Sequence, residues 1–329
     1  MMWLQFKDGV KIVIHTSNMI REDWTCRTQG LYISPEIKVV ALKSASDSET
    51  QFRHHLLEYI SHYGPKVVNK LQDWISLFKQ CDFSPIRVAL VASVPGRHTG
   101  TNKAKFGHLR MEGLLKSHLN KLDRTGWPVV GQFSSIGSLG PNPVHWLKKE
   151  WINSFSGRET TGLRLIYPTV ENVRQSVEGY RAGGCLPYFS KVRMKQQWLE
   201  TFLHKWEAGP MTRAIPHIKS YCCVDPESEK VAWFLLTSAN LSKAAWGQLE
   251  KGGTQLFLRS YELGVLFLPK FCLSSQYDHF ELKDAKSPSF FPVPYDLPPV
   301  PYRPNIDSPW IVDQCYDQVD AIGGVWKPR

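Results

Sequence analysis

The chain has 329 residues, 42% of them apolar and 12% aromatic, enough to bury one large core or two ordinary ones and too apolar for a disordered tail. Forty lysines and arginines against thirty acidic residues give a formal charge of +10, which favours a polyanionic partner without excluding a merely basic soluble protein. No apolar run approaches the ~20 residues that span a bilayer, the N-terminus lacks signal-peptide order, and the seven cysteines form no C-x-x-C pair, so the chain reads as soluble and intracellular, without a disulfide framework or zinc knuckle.

In chain order, an apolar β-branched run at 10–16 predicts a strand. The spacing of Phe52, Leu56, Tyr59 and Ile60 predicts a helix over 51–62, and that of Val67, Val68, Leu71, Trp74, Ile75 and Phe78 another over 65–80, with Pro65 in its first turn. A break at 81–86 marks a domain boundary, giving segments 1–85 and 86–329. Further strands are expected at 87–93, 163–167, 231–237, 254–259 and 264–268; several are apolar throughout, as strands covered on both faces would be. The proline-rich tail from 287 to 309 should run extended over the domain surface, a docking ligand for a partner domain being the alternative. Strands alternating with helices imply an α/β architecture of sheets sandwiched between helices.

An internal repeat carries the functional signal. Ile12 to Trp24 (IVIHTSNMIREDW) can be laid over Phe234 to Trp246 (FLLTSANLSKAAW): an apolar strand, a small polar run ending in Asn18 or Asn240, then a tryptophan six residues on. Upstream of Asn240 lies Pro216-His217-Ile218-Lys219. An H-x-K on a strand sets both side chains on one face, and a returning strand would bring Asn240 to that face. An imidazole to attack phosphorus or move a proton, a fixed cation and an amide donor are what phosphodiester cleavage requires.

These residues resemble the tyrosyl-DNA phosphodiesterases, a branch of the phospholipase D superfamily that keeps His, Lys and Asn but replaces the usual aspartate. The resemblance includes PHIK at 216–219, TSANLSKAAWG at 237–247, SYELGVLFLP at 260–269, GQFSSIGSLG at 131–140, YPTVENVR at 167–174 and FPVPYDLPP at 291–299, and runs the length of the chain. It implies two related α/β sandwich domains with pseudo-twofold symmetry, the first of them truncated here. It also implies metal-independent, cofactor-free displacement at a DNA 3′ end through a phosphohistidine. His217 then fits the acid/base role, Lys219, Asn240 and Asn18 phosphate binding, and Gln29 and Glu262 the orientation of two imidazoles. The implied partners are single- or double-stranded DNA with blocked 3′ ends and topoisomerase-derived peptide adducts, in the nucleus and away from membranes.

By the family pattern, the first H-x-K should fall just before Met1, so the nucleophilic histidine and its lysine are expected to be missing. An incomplete gene model, a shortened isoform and a fragment are equally compatible with this. His15 stands in the strand just before Asn18, but its counterpart in the repeat is Thr237, which points to a structural or hydrogen-bonding role rather than a substitute nucleophile. Ser134, Ser135 and Ser138 could hold a DNA phosphate or merely cap the following helix, and Ser242 and Lys243 could hold the backbone or belong to a surface loop. The basic stretch 97–118 fits a backbone-tracking surface or a solvated face. Gly183 to Pro187, and Trp326, could line a peptide groove or serve turns and packing. The expected function is therefore a DNA-repair phosphodiesterase; an end-binding chain without turnover and a phospholipid hydrolase are the rivals.

Overall fold

The apolar run near the N-terminus becomes the centre of an antiparallel sheet. In the computed structural model, which describes residues 1–119, 123–156 and 162–328, β2 (Gly9–His15) is flanked by β1 (Met2–Gln5) and by β3 (Leu31–Ile33) and β4 (Ile37–Lys38). Val10, Ile12 and Ile14 of β2 point into the core, as strand alternation requires.

The remaining strands are β5 (Ala89–Ser93), β6 (Gly96–Thr99), β7 (Val129–Gln132), β8 (Leu163–Ile166), β9 (Leu203–His204), β10 (Ser220–Val224), β11 (Lys230–Thr237), β12 (Gln248–Glu250), β13 (Gln255–Leu258), β14 (Glu262–Phe267) and β15 (Phe280–Glu281). Among the described residues they form a large mixed sheet in the order β5-β14-β11-β10-β7-β8-β9, with β15 also on β11, and a small sheet β12-β13-β6. The β7–β8 and β8–β9 pairs are parallel and the other pairs of the large sheet antiparallel. The central strand β11 is buried from Val231 to Thr237, which explains its unbroken apolar sequence.

Each predicted strand is present. The predicted helix over 65–80 is not continuous: it divides at Leu71 (φ −101°, ψ 6°) into Pro65–Lys70 and Gln72–Lys79. Helical periodicity registers a shared face, and both short helices keep one, so the break leaves no trace in the apolar spacing. The tail forms neither helix nor named strand, and hydrogen-bonded turns interrupt it at Ser287–Phe290 and Arg303–Asp307. Lys205 N–H donates to the Val300 carbonyl, Tyr302 N–H to Leu203 and Trp310 N–H to Pro168, tying it along β9 and its neighbours.

The two faces of the large sheet carry separate cores. One holds Trp146, Trp151, Phe155, Tyr221, Trp233 and Trp246 under the helix Val144–Ile152 and its continuation Asn153–Ser156. On the other, Val10, Ile12, Ile14 and Tyr32 of the first sheet meet Ile218, Leu236 and Val265 of the second, so residues from 1–85 and 86–329 share one apolar cluster. Gly30 sits at this contact, where a β-carbon would come within 2.1 Å of Leu236 Cδ1.

Candidate active site

The β10–β11 hairpin sets the position of the site. Its turn is closed by Asp225, whose Oδ1 accepts the backbone N–H groups of Glu229 (2.7 Å) and Lys230 (2.6 Å). With a register shift between Cys223 and Val224, the strands then pair Ser220↔Leu236, and Thr237 N–H donates to Lys219 O at 3.0 Å just beyond. His217 and Lys219 therefore occupy the lead-in to β10 rather than the strand itself, a correction to the expected placement. Their segment is completed from the other half of the chain: Thr28 O accepts the N–H groups of both His217 and Ile218 at 2.9 Å.

Lys219 is 3% exposed and donates to the His217 carbonyl. Burial pushes its ammonium down to about 8, and neighbouring Glu262 opposes the shift, so it stays largely charged at neutral pH. Burial, reinforced by Lys219, pushes the His217 imidazole down to about 4, while Asp23 acts the other way. Burial raises the Glu262 carboxyl to about 7 against the Ser238 hydroxyl, which donates to it at 2.5 Å, and against Lys219. A phosphodiester anion placed beside this group would favour protonated His217.

Asn240 follows β11 and is held by its oxygen. Oδ1 accepts the backbone N–H groups of Ser134 and Ser135, each at 3.0 Å, and the Ser134 hydroxyl at 3.2 Å. With the carbonyl end fixed, the amide nitrogen is the donor left to face a ligand. Ser134 is 1% exposed, and its hydroxyl serves Asn240 rather than reaching outward to DNA, because the loop turns it inward. Ser135 donates to the carbonyl of exposed Pro187 at 2.8 Å, which brings the 183–187 segment beside the loop. Gln196, buried and not singled out by sequence, braces the same loop through Leu139 N–H and Gly137 O.

Ser138, Ser242 and Lys243 come together with Gln248, Phe257 and Arg259 around a cavity of roughly 320 Å³. Ser242 also caps the short helix Lys243–Trp246, accepting Ala245 N–H at 3.1 Å. Trp326 packs on Trp310, with ring centroids 5.4 Å apart, and donates to Val312 O.

The first half of the repeat lies against His217. Gln29 places its amide nitrogen 3.2 Å and its oxygen 3.3 Å from Nδ1, and Thr16 donates to that oxygen at 2.7 Å. Asn18 is exposed, at the end of the loop leaving β2. His15 ends β2 with its ring 5.6 Å from that of Trp24. Glu262 lies near Lys219 and bonds Ser238. Sequence reasoning passed over Thr16, Asp23 and Arg27, which also surround the imidazole; Asp23 stands five residues after Asn18 within the repeat itself, opposite Ala245, and that mismatch was the available signal.

Residues 1–303 match the family model described as tyrosyl-DNA phosphodiesterase. The Drosophila melanogaster protein named tyrosyl-DNA phosphodiesterase 1 is 40% identical, the match covering 95% of this chain and 56% of that protein. Its Arabidopsis thaliana namesake is 34% identical, covering 99% and 60%. A Caenorhabditis elegans protein named probable tyrosyl-DNA phosphodiesterase is 35% identical, covering 99% and 70%. The chain thus spans little more than half the length of the fly and plant relatives. The crystal structure of yeast tyrosyl-DNA phosphodiesterase superposes with a TM-score of 0.71 at 21% identity, over 94% of this chain and 75% of that one, which shows a shared phospholipase D-like fold. By the extent of the family match and the identity to these relatives, the chain belongs to the tyrosyl-DNA phosphodiesterase family.

Proposed function

We propose that this chain supplies the acid/base and phosphate-binding half of a phosphodiesterase that removes tyrosyl and other adducts from DNA 3′ ends, on single or double strands, in nuclear DNA repair. The observation that carries the reading is the convergence of buried Lys219, oxygen-anchored Asn240 and Gln29-braced His217 on the end of one hairpin. Lys219 and the Asn240 amide hold the nonbridging oxygens as charge develops on phosphorus. A nucleophilic imidazole from the partner motif forms the N–P bond while His217 Nε2 protonates the departing tyrosyl oxygen. Water then attacks phosphorus, His217 Nε2 takes its proton, and the N–P bond breaks to release a 3′-phosphate. Lys219 provides the fixed positive charge, so the scheme needs no metal ion.

His217 lies in the only H-x-K of the 329 residues. That observation favours a second reading, DNA-end binding without turnover. Both are tested by cleavage of an oligonucleotide bearing a 3′-phosphotyrosine, with chelator present, comparing this chain, His217→Ala, and a version extended upstream by a His-x-Lys motif. The hydrolytic reading expects cleavage by the extended chain and a loss of about 100-fold or more when His217→Ala is added to it. Binding without cleavage by the chain as it stands supports the second reading for this product. Cleavage indifferent to His217→Ala overturns the scheme.

A further inference from the structure

Asp23 brings a carboxylate to the imidazole. It lies on the short helix Arg21–Thr25 and is fully buried. A buried carboxylate persists as an anion only when donors match its oxygens, and here they do. Oδ1 accepts from Arg27 Nη1 at 2.5 Å, and Oδ2 accepts the Asn18 backbone N–H at 2.6 Å. Oδ2 also stands 3.3 Å from His217 Nδ1. Arg27 is held in turn by Glu178, through Nε at 3.1 Å and Nη2 at 3.3 Å. A line of paired charges therefore runs from Glu178 through Arg27 and Asp23 to His217.

Gln29 by itself does not decide which ring nitrogen carries the proton, because its amide donor and acceptor are both within reach of Nδ1. An anionic oxygen at the same nitrogen breaks the tie. It favours N–H at Nδ1 and leaves Nε2 as the nitrogen that exchanges protons with substrate, the arrangement by which a carboxylate orients a catalytic imidazole elsewhere. The charges facing the ring divide by sign: Lys219 on its own segment and Arg27 oppose protonation, and Asp23 favours it. Glu178 acts on Arg27, and Glu262 and Cys185 act on Lys219, each at one remove.

We propose that Asp23 is a positioning residue: it keeps a proton on Nδ1 of His217 so that Nε2 alone gives and takes the proton in turnover, with Arg27 and Glu178 moderating its pull. This rests on the hydrolytic reading, in which His217 exchanges protons, and adds the group that orients the exchange.

Long-range ¹H–¹⁵N NMR of the histidine rings, with His217→Ala identifying the signal, reports tautomer and titration without requiring turnover. The unmodified chain is expected to show neutral His217 as the Nδ1–H tautomer. Asp23→Asn should move it toward Nε2–H and lower its pKa by about one unit or more. Arg27→Gln, which keeps a donor but removes the cation, should raise it. Opposed shifts are not what a general loosening of the site produces. An unchanged tautomer in Asp23→Asn, or shifts in the same direction in both variants, overturns the proposal. Where circular dichroism shows that Asp23→Asn does not fold, the unmodified chain decides: Nδ1–H supports the proposal and Nε2–H overturns it. Since none of these readouts involves cleavage, failure here leaves the hydrolytic reading to the 3′-phosphotyrosine assay.

Discussion

Glu262 titrates near neutrality because burial outweighs the help it receives from Ser238 and Lys219. Its folded pKa of about 7 lies above the ordinary 4.5, so the unfolded chain gives up this proton first. Raising the pH through that window therefore favours unfolding: the effect is absent below 4.5 and complete above about 7. Glu262→Gln keeps an acceptor for Ser238 and removes the titration. The variant should match the parent at pH 4 and exceed its stability by up to about 3 kcal/mol at pH 8, taking ~1.4 kcal/mol per pKa unit. Urea midpoints at the two pH values check this, and a constant difference between them would refute it. At this scale the sequence disclosed the groups whose spacing is itself the signal, His217 with Lys219 and Asn240 after its strand. Asp23 was hidden because its contact to His217 crosses 194 positions, and an Asp on a five-residue helix looks like any solvated acid until its burial is known.

Strands were easier to read than the joints between them. The apolar runs became β2, β5, β8, β11, β13 and β14 almost as bounded by sequence, since burial on both faces leaves an uninterrupted record. The short edge pieces β1, β9, β12 and β15 leave no such record, and the break at Leu71 is invisible to a periodicity that both helices share. Gly30, in the two-residue approach to β3, illustrates what a joint demands. Its N–H donates to Thr16 Oγ1 at 2.9 Å while the space a β-carbon would need is taken by the Leu236 and Ile218 side chains, so at this point the backbone beside the first sheet packs directly on side chains of the second. Gly30→Ala should wedge that contact and displace Gln29 from His217. A loss of about 1–3 kcal/mol is expected from overpacking, read from denaturant midpoints. Full stability in Gly30→Ala would show that Leu236 yields without cost.

Over the whole molecule, a charge of +10 is concentrated usefully only where cations face a concavity, as Lys243 and Arg259 do in the cavity that Ser138 and Ser242 also line. Lys243→Ala should weaken oligonucleotide binding about equally for all sequences and make the slope of log K against log salt shallower by about 1, because one phosphate contact is lost. Fluorescence anisotropy at several salt concentrations measures both quantities; an unchanged slope would place Lys243 away from the DNA. The tail contributes to the same region from a distance. Trp310 is fully buried against Gly183 and donates to its carbonyl at 3.0 Å, and Tyr167 donates its hydroxyl to both Leu186 and Trp310. The carbonyl of Pro187, next in line, receives Ser135 from the loop that grips Asn240. During synthesis, then, His217, Lys219 and Asn240 leave the ribosome long before the segment that steadies their surroundings. A nonsense or frameshift lesion falling between Asn240 and Trp310 would therefore remove this support, and is expected to act as an active-site lesion although His217, Lys219 and Asn240 had been translated.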